Sequence, residues 1–359
     1  MNVKERLNLI KEVGEEILGE DELKAMLADE SHIPVAYDGF EPSGRIHIAQ
    51  GILRAINVNK LTKAGIKFKF WVADWFALMN NKLEGDLKKI KMTGKYFIEV
   101  WKACGMDMKN VEFLWASDVM NDREYWLKVI NIARINTVTR IERCAQIMGR
   151  SEKDKLSAAQ IFYPCMQCAD IFHLKADIAQ LGMDQRKVNV LAREVAPKLN
   201  FKKPVVISHH MLMGLGEPPK NDLKGADAAI AKKMSKSKPD SAIFMTDSAS
   251  DVEKKINKAY CPERIVKDNP ILEYCKYLVF EKFDKMEISR PEKFGGNAAY
   301  ASYEDLEKDF GKGNLHPADL KRALAKSINQ MLQPVRDYFD KNKEAKLLKE
   351  KVESYSITR

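Results

Sequence analysis

The sequence predicts an open, mostly parallel α/β sheet followed by a smaller, mainly helical region. Three observations carry this. Short apolar runs at 32–40, 67–79 and 111–118 alternate with helical stretches, the order that builds right-handed crossovers and a parallel sheet. After a helical interruption, KADIAQLGMDQRK and PVVISHH return to that sheet. Beyond about residue 250 the pattern turns helical and basic.

Taken in order, residues 3–30 predict helix. Their glutamates argue against a transit peptide, and no apolar signal core is present. HIPVAYDGF, 32–40, predicts a strand running into a turn. In EPSGRIHIAQGILRAINVNKLTKAG, Ile48, Ile52 and Ile56 share a helical face, and Gly65 suits the helix end. KFKFWVADWFALM predicts the second strand. A helix through 86–104 turns Ile90, Phe97, Val100, Trp101 and Cys104 inward, and Gly105 ends it. VEFLWASD is the third strand. A helical insertion occupies about 119–160. GLGEPPKNDLKGADAAIAKKMSKSKPD, rich in Gly, Pro and Lys, predicts a loop or linker. SDVEKKINKAY, PILEYCKYLVF and HPADLKRALAKSINQMLQPVRDYF then predict a second, helical domain, so the division falls at 1–245 and 246–359.

A chain of 359 residues suits two domains with a sizeable core. An apolar content of 45% with 31% charged residues is ordinary for a soluble globular protein. No apolar run approaches the length of a membrane span, so no membrane association is expected and the cytoplasm is the default location. The six cysteines show no framework spacing. Cys165 and Cys168 form a CxxC with neither a second pair nor a histidine pair nearby, which favours buried free thiols over a zinc or redox site. No protein-ligated metal is expected. The net charge of +9 favours an anionic partner, RNA above all.

Two segments carry chemistry. In GFEPSGRIHIAQG, Gly39 and Gly44 let backbone approach a ligand, and the turn leads into a helix N-terminus with unpaired N–H groups. His47 either donates to a phosphate oxygen there or caps the helix. In KKMSKSKPDS, Lys232, Lys233, Lys236 and Lys238 are either a solvated charge run or phosphate contacts on a mobile loop.

The pairing of that turn-borne histidine with a late KMSKS resembles the two signatures of class I aminoacyl-tRNA synthetases. YDGFEPSGRIHIAQG, YPCMQCADI, LGMDQRK, KKMSKSK, RPEKFGG and LHPADLK stand in the order found in archaeal and eukaryotic tyrosyl-tRNA synthetases, a resemblance that spans nearly the whole chain. It implies a Rossmann-like catalytic domain with a helical insertion and a C-terminal anticodon-binding domain. It implies activation of L-tyrosine by ATP, accompanied by Mg²⁺, and transfer to tRNA(Tyr). It also implies a homodimer with the insertion helices at its interface.

By position, the resemblance assigns Tyr37 and Asp170 to the substrate phenol and Tyr163, Gln167 and Gln185 to its amino group and backbone. Gly39, His47, Gln50, Gly182 and Asp184 fall on the ATP side, Asp184 at the ribose. Lys233, Ser235 and Lys236 fall at the phosphates, with His47, Lys233 and Lys236 as the catalytic set. The first signature reads His-Ile-Ala-Gln where the class has His-Ile-Gly-His, so contacts at position 50 rest on the amide of Gln50. On the tRNA side, Arg186 and Lys187 correspond to readers of the first acceptor pair. Phe294 corresponds to an anticodon stacking residue or a core residue. His316, Pro317 and Asp319 correspond to an anticodon pocket, with Asp319 also readable as a helix N-terminal charge.

Three rival readings stand beside this one. A tryptophanyl-tRNA synthetase has the same fold, but indole carries no hydroxyl for Tyr37 and Asp170. An RNA-binding protein without catalysis would not need His47, Lys233, Lys236 and Gln185. A different nucleotidyltransferase would not need the C-terminal motifs.

Overall fold

The apolar runs become the strands of a six-stranded sheet. The computed structural model describes residues 1–148, 155–219, 223, 225–234 and 239–355. The strands are β1 (Gly14–Leu18), β2 (Val35–Phe40), β3 (Lys67–Val72), β4 (Val111–Trp115), β5 (Ile178–Gly182) and β6 (Val205–His209). They lie in the order β1-β6-β5-β2-β3-β4. Only β1 is antiparallel to its neighbour. Every residue of β5 is buried, as expected for a central strand covered on both faces. From β2 the chain winds outward through β3 and β4, then returns to β5 and β6 on the other side. The winding therefore reverses between β2 and β5, and a crevice opens at their carboxyl ends.

Several expected boundaries move. Residues 3–30 are not one helix. Helices Val3–Val13 and Glu20–Ala28 flank β1, and Gly19 breaks the chain at a φ of 94°. GEEIL has no apolar alternation because it is a short, charged edge strand, a composition that also discourages pairing with another chain. The second strand ends at Val72, and Asp74–Met79 is a separate helix. The third ends at Trp115, with Ala116–Val119 helical. Cys104 is only partly buried, although Ile90, Phe97, Val100 and Trp101 are in the core. The stretch expected to be a loop contains a helix, Gly225–Lys232. The C-terminal region is helical, with Ala249–Lys258, Pro317–Lys341 and Lys343–Glu353 its main helices. It also holds a two-stranded ribbon of β7 (Met286–Ile288) and β8 (Ala298–Tyr300) that the sequence does not announce.

The C-terminal helices do not stand apart from the sheet. One apolar core runs from Leu7 through Phe68 and Phe97 to Leu332 and Val352. Polar ties follow the same route. Asp247 pairs with Arg45 at 2.8 Å, accepts through its carbonyl from Arg336 at 2.9 Å, and takes Lys255 at 2.6 Å. Among the described residues, no helix is long and apolar enough to cross a membrane.

His210, just past β6, is a second tie. Its ring meets Glu15 at 3.1 Å and Glu273 at 2.6 Å, and stacks on Tyr277 with centroids 4.2 Å apart. Burial opposes its charge, yet the two carboxylates hold its pKa up to about 9 from an ordinary value of 6.5. A raised folded-state value means that the stabilisation is complete below the unfolded value and is lost as pH rises through the folded one. The stability difference between the wild type and H210Q should therefore be largest below pH 6.5 and shrink toward pH 9. Thermal unfolding of both proteins across that range tests this, and a constant difference would remove the charged clamp.

Candidate functional site

A cleft of about 320 Å³ opens at the carboxyl ends of β2 and β5, within the usual range for small-molecule sites. One wall is the helix Ala158–His173. Ser157 starts it with a capping box to Gln160, and it continues through Pro164, although proline cannot donate to the carbonyl four residues back. Tyr163, Gln167 and Asp170 fall at i, i+4 and i+7, so one helical face turns all three into the cleft. The opposite wall comes from Tyr37 and Gly39 of β2, Trp71 of β3, and Phe76, whose ring meets Tyr163 edge-on at 4.8 Å.

At the closed end, Tyr37 donates to Asp170 Oδ2 at 3.3 Å, while Tyr125 donates to Asp170 Oδ1 at 2.8 Å. Tyr37 and Asp170 are each 1% exposed, and Tyr125 is 0% exposed. Burial drives the Asp170 pKa well up, and its hydrogen bonds from Tyr125 and Tyr37 oppose that rise. An acceptor oxygen held only at 3.3 Å, at the end of an aromatic slot, suits a ligand that ends in a hydroxyl, because an apolar end would offer that oxygen no further donor. Nearer the mouth, Tyr163 donates to Glu41 at 2.7 Å. Gln167 donates to Gln185 at 3.1 Å, and Gln185 donates to the Ile147 carbonyl at 3.2 Å.

The other end of the cleft is charged. A Cβ on Gly182 would sit 2.5 Å from Met211 Sδ and 2.7 Å from Asp184, and one on Gly39 would sit 2.9 Å from the Tyr37 hydroxyl. Both glycines thus let the backbone form the cleft floor at no steric cost. Lys233 pairs with Asp184 at 2.8 Å, and that carboxylate raises the lysine pKa. His47 lies just before the helical turn that begins at Ala49, rather than within it. Its carbonyl accepts from Gln50 and Gly51. Backbone bonds tie the first signature to the segment after KMSKS, and tie Met234 of KMSKS to the chain after β6. Ile48 donates to Ile243 at 2.8 Å, Met245 donates to Ile46 at 3.0 Å, and Met234 donates to Leu212 at 3.1 Å. Ser235 and Lys236 lie outside the described residues. Beneath this end, Arg54 pairs with Asp38 at 2.6 Å and donates to Gln180. Burial pushes the Asp38 pKa up to about 6 despite Arg54, and nearby Asp184 adds to the rise.

The residues expected to meet RNA are not gathered in this cleft. Arg186, at the start of helix Arg186–Val195, pairs with Glu16 at 2.6 Å, and Lys187 lies 3.8 Å from Asp227. Phe294 is 60% exposed, which removes the core reading. His316 caps helix Pro317–Lys341 by accepting from Ala318 at 3.1 Å, with Pro317 as the first helical residue. Asp319 is buried and pairs with Arg322, so the N-terminal charge reading describes it as it stands. Sequence reasoning missed Tyr125, Glu41, Asp38 and Arg54. Glu41 stands inside the first signature and could have been found there; Tyr125 and Arg54 have no local pattern. Cys165 and Cys168 are buried thiols whose pKa values burial raises. Among the described residues no three His, Cys, Asp or Glu side chains cluster to hold a metal.

The model of the tRNA synthetases class I (W and Y) family matches residues 30–333. Tyrosine–tRNA ligase 1, cytoplasmic, of Arabidopsis thaliana is 54% identical over 99% of this chain and 90% of its own length. Tyrosyl-tRNA synthetase of Pyrococcus horikoshii, solved with L-tyrosine, superposes with a TM-score of 0.90 at 38% identity, covering 98% of this chain and 100% of that one. The Leishmania major enzyme, solved with tyrosinol, superposes at 0.89 with 47% identity over 99% of this chain, which spans only 52% of the Leishmania chain. A family match over most of the sequence, joined to these near full-length identities, shows that this chain belongs to the class I aminoacyl-tRNA synthetases, among the tyrosyl-tRNA synthetases of archaeal and eukaryotic type.

Proposed function

We propose that this cleft activates L-tyrosine with ATP and that the chain then transfers the tyrosyl group to tRNA(Tyr). The observation that carries the reading is the buried Tyr37–Asp170 pair at the end of an aromatic slot whose other end holds Asp184 and Lys233. The substrate phenol donates to Asp170 and accepts from Tyr37. The α-amino group sits among Tyr163, Gln167 and Gln185, with Glu41 adding negative charge. The adenosine lies over Gly39 and Gly182, with its ribose on Asp184. That the Pyrococcus relative was solved with L-tyrosine supports the same ligand here.

The chemistry needs no protein nucleophile. A carboxylate oxygen of tyrosine attacks the α-phosphorus, the bond to the bridging oxygen breaks, and pyrophosphate leaves with the electron pair. The cleft contributes positioning and stabilisation of the charge that builds on the phosphates. His47, the amide of Gln50, Lys233 and Lys236 are the groups for that charge. Lys233 exchanges Asp184 for phosphate as ATP enters, and the ribose takes the freed carboxylate. Mg²⁺ enters as part of the MgATP substrate.

For tRNA, Arg186 and Lys187 serve the acceptor end, and exposed Phe294 is free to stack on an unpaired base. His316, Pro317 and Asp319 form the neighbouring pocket once Asp319 exchanges Arg322 for a base edge. We assign this work to a C-terminal anticodon-binding domain, 246–359, beside a catalytic domain, 1–245. The naming of the plant relative as cytoplasmic supports that location. Leu127, Ile130, Val138 and Phe162 are apolar, exposed and confined to one part of the chain, which supports a homodimer through the insertion.

Three measurements test these assignments. ATP–pyrophosphate exchange without tRNA should proceed with tyrosine and not with phenylalanine or tryptophan; exchange with tryptophan alone would overturn the phenol-reading slot. K233A should lower kcat about 10²- to 10³-fold with the KM for tyrosine little changed, and an unaltered kcat would take Lys233 out of the reaction. Wild-type protein should sediment at twice its 41.0 kDa chain mass, and L127E/I130E should sediment as a monomer. A wild-type monomer would discard the interface.

A further inference from the structure

The closed end of the slot is asymmetric. Asp170 offers two carboxylate oxygens and each is engaged, but unequally. The contact to Tyr37, which lines the cleft, is long at 3.3 Å, while the contact to Tyr125, which does not line it, is short at 2.8 Å. A charge-assisted O–H···O⁻ bond weakens steeply as it lengthens. One oxygen is therefore locked from behind and the other is only loosely held. Tyr125 itself has no freedom to leave. It is 0% exposed, its ring meets Trp126 and His173 edge-on with centroids 5.8 and 5.4 Å away, and its helix Arg123–Arg134 buries Val129 and Ile132 on the same face.

We propose that Tyr125 is a positioning residue that sets selectivity for tyrosine over phenylalanine, by fixing Asp170 so that its Oδ2 points at the substrate hydroxyl. This rests on the reading of the cleft given above. Tyr125 touches no substrate. Its hydroxyl fills the acceptor site on Oδ1, prevents the carboxylate from rotating to satisfy itself elsewhere, and offsets part of the burial that drives Asp170 toward its neutral form. A neutral Asp170 accepts the phenol proton more weakly and a rotated one presents no oxygen to it, and the slot then discriminates mainly by shape. Shape alone is weak here, because phenylalanine is the smaller ligand.

The experiment compares full-length wild type, Y125F and V129A in ATP–pyrophosphate exchange, with tyrosine and phenylalanine each varied, and follows thermal unfolding of all three. Loss of a hydrogen bond to a charged group corresponds to about tenfold or more in affinity. Y125F should therefore raise the KM for tyrosine at least about tenfold while kcat stays within about twofold. Its exchange with phenylalanine should be unchanged or higher, so the tyrosine-to-phenylalanine ratio of kcat/KM falls by at least about tenfold. V129A removes packing from the same buried face without touching Asp170; it should lower the unfolding temperature and leave the ratio alone. Tyr125→p-aminophenylalanine keeps a donor at the same place, provides a folded protein should Y125F prove unstable, and should hold most of the wild-type ratio. An unchanged ratio in Y125F, an equal fall in V129A, or a ratio as low with p-aminophenylalanine as with phenylalanine at 125 would each overturn the role. Absence of tyrosine-dependent exchange in the wild type would instead defeat the underlying reading of the cleft.

Discussion

The crevice depends on a guanidinium buried at the point where the sheet reverses its winding. Arg54 leaves the first helix after β2, reaches Asp38 on β2 and both the side chain and the carbonyl of Gln180 on β5, and lies over the rings of Phe68 and Phe70. It is 4% exposed. A buried cation is tolerated only when its partners are fixed, and removing one partner costs several kcal/mol. The pair therefore holds β2, β5 and the following helix in one register. That register places Tyr37, Gly39, Gly182 and Asp184 around a common space. His209, against Arg54 and Gln180, is kept neutral by burial and by the neighbouring cation, so it adds a polar partner without a second charge.

Around that joint the two ends of the cleft have opposite chemistry. The closed end is buried and crowded with phenols whose pKa values burial raises. The open end is charged, and its Lys233 is paired with Asp184. The phenolic end and the charged end are thereby kept apart within one cleft.

The C-terminal helices are more than an appended module in physical terms. The backbone after the KMSKS segment is zipped to the first signature at Ile46 and Ile48, and Asp247 beside it joins Arg45, Lys255 and Arg336. Any displacement of helix Pro317–Lys341 bears on the turn that presents His47. The His210 clamp ties the same region to the end of β6 and to β1.

The parallel strands were legible in the sequence as apolar runs, and Tyr163, Gln167 and Asp170 through the resemblance their motif carries. The strand order, and with it the reversal that makes the crevice, was not, because pairing joins segments far apart in the chain. The glycine-bearing turn and the lysine segment were legible, as types if not as geometry. The edge strand β1, the β7–β8 ribbon and the helix Gly225–Lys232 were not, because elements this short carry too little periodicity to be read and owe their form to their neighbours. Nor were the contacts that make the site work. Tyr125 meets Asp170 across 45 residues, Arg54 meets Gln180 across 126, and Tyr37 meets Asp170 across 133. By itself the sequence determined which side chains share an element. Only tertiary packing decided which elements bring a donor within 3 Å of an acceptor, because hydrogen-bond energy depends on distances that no spacing along the chain encodes.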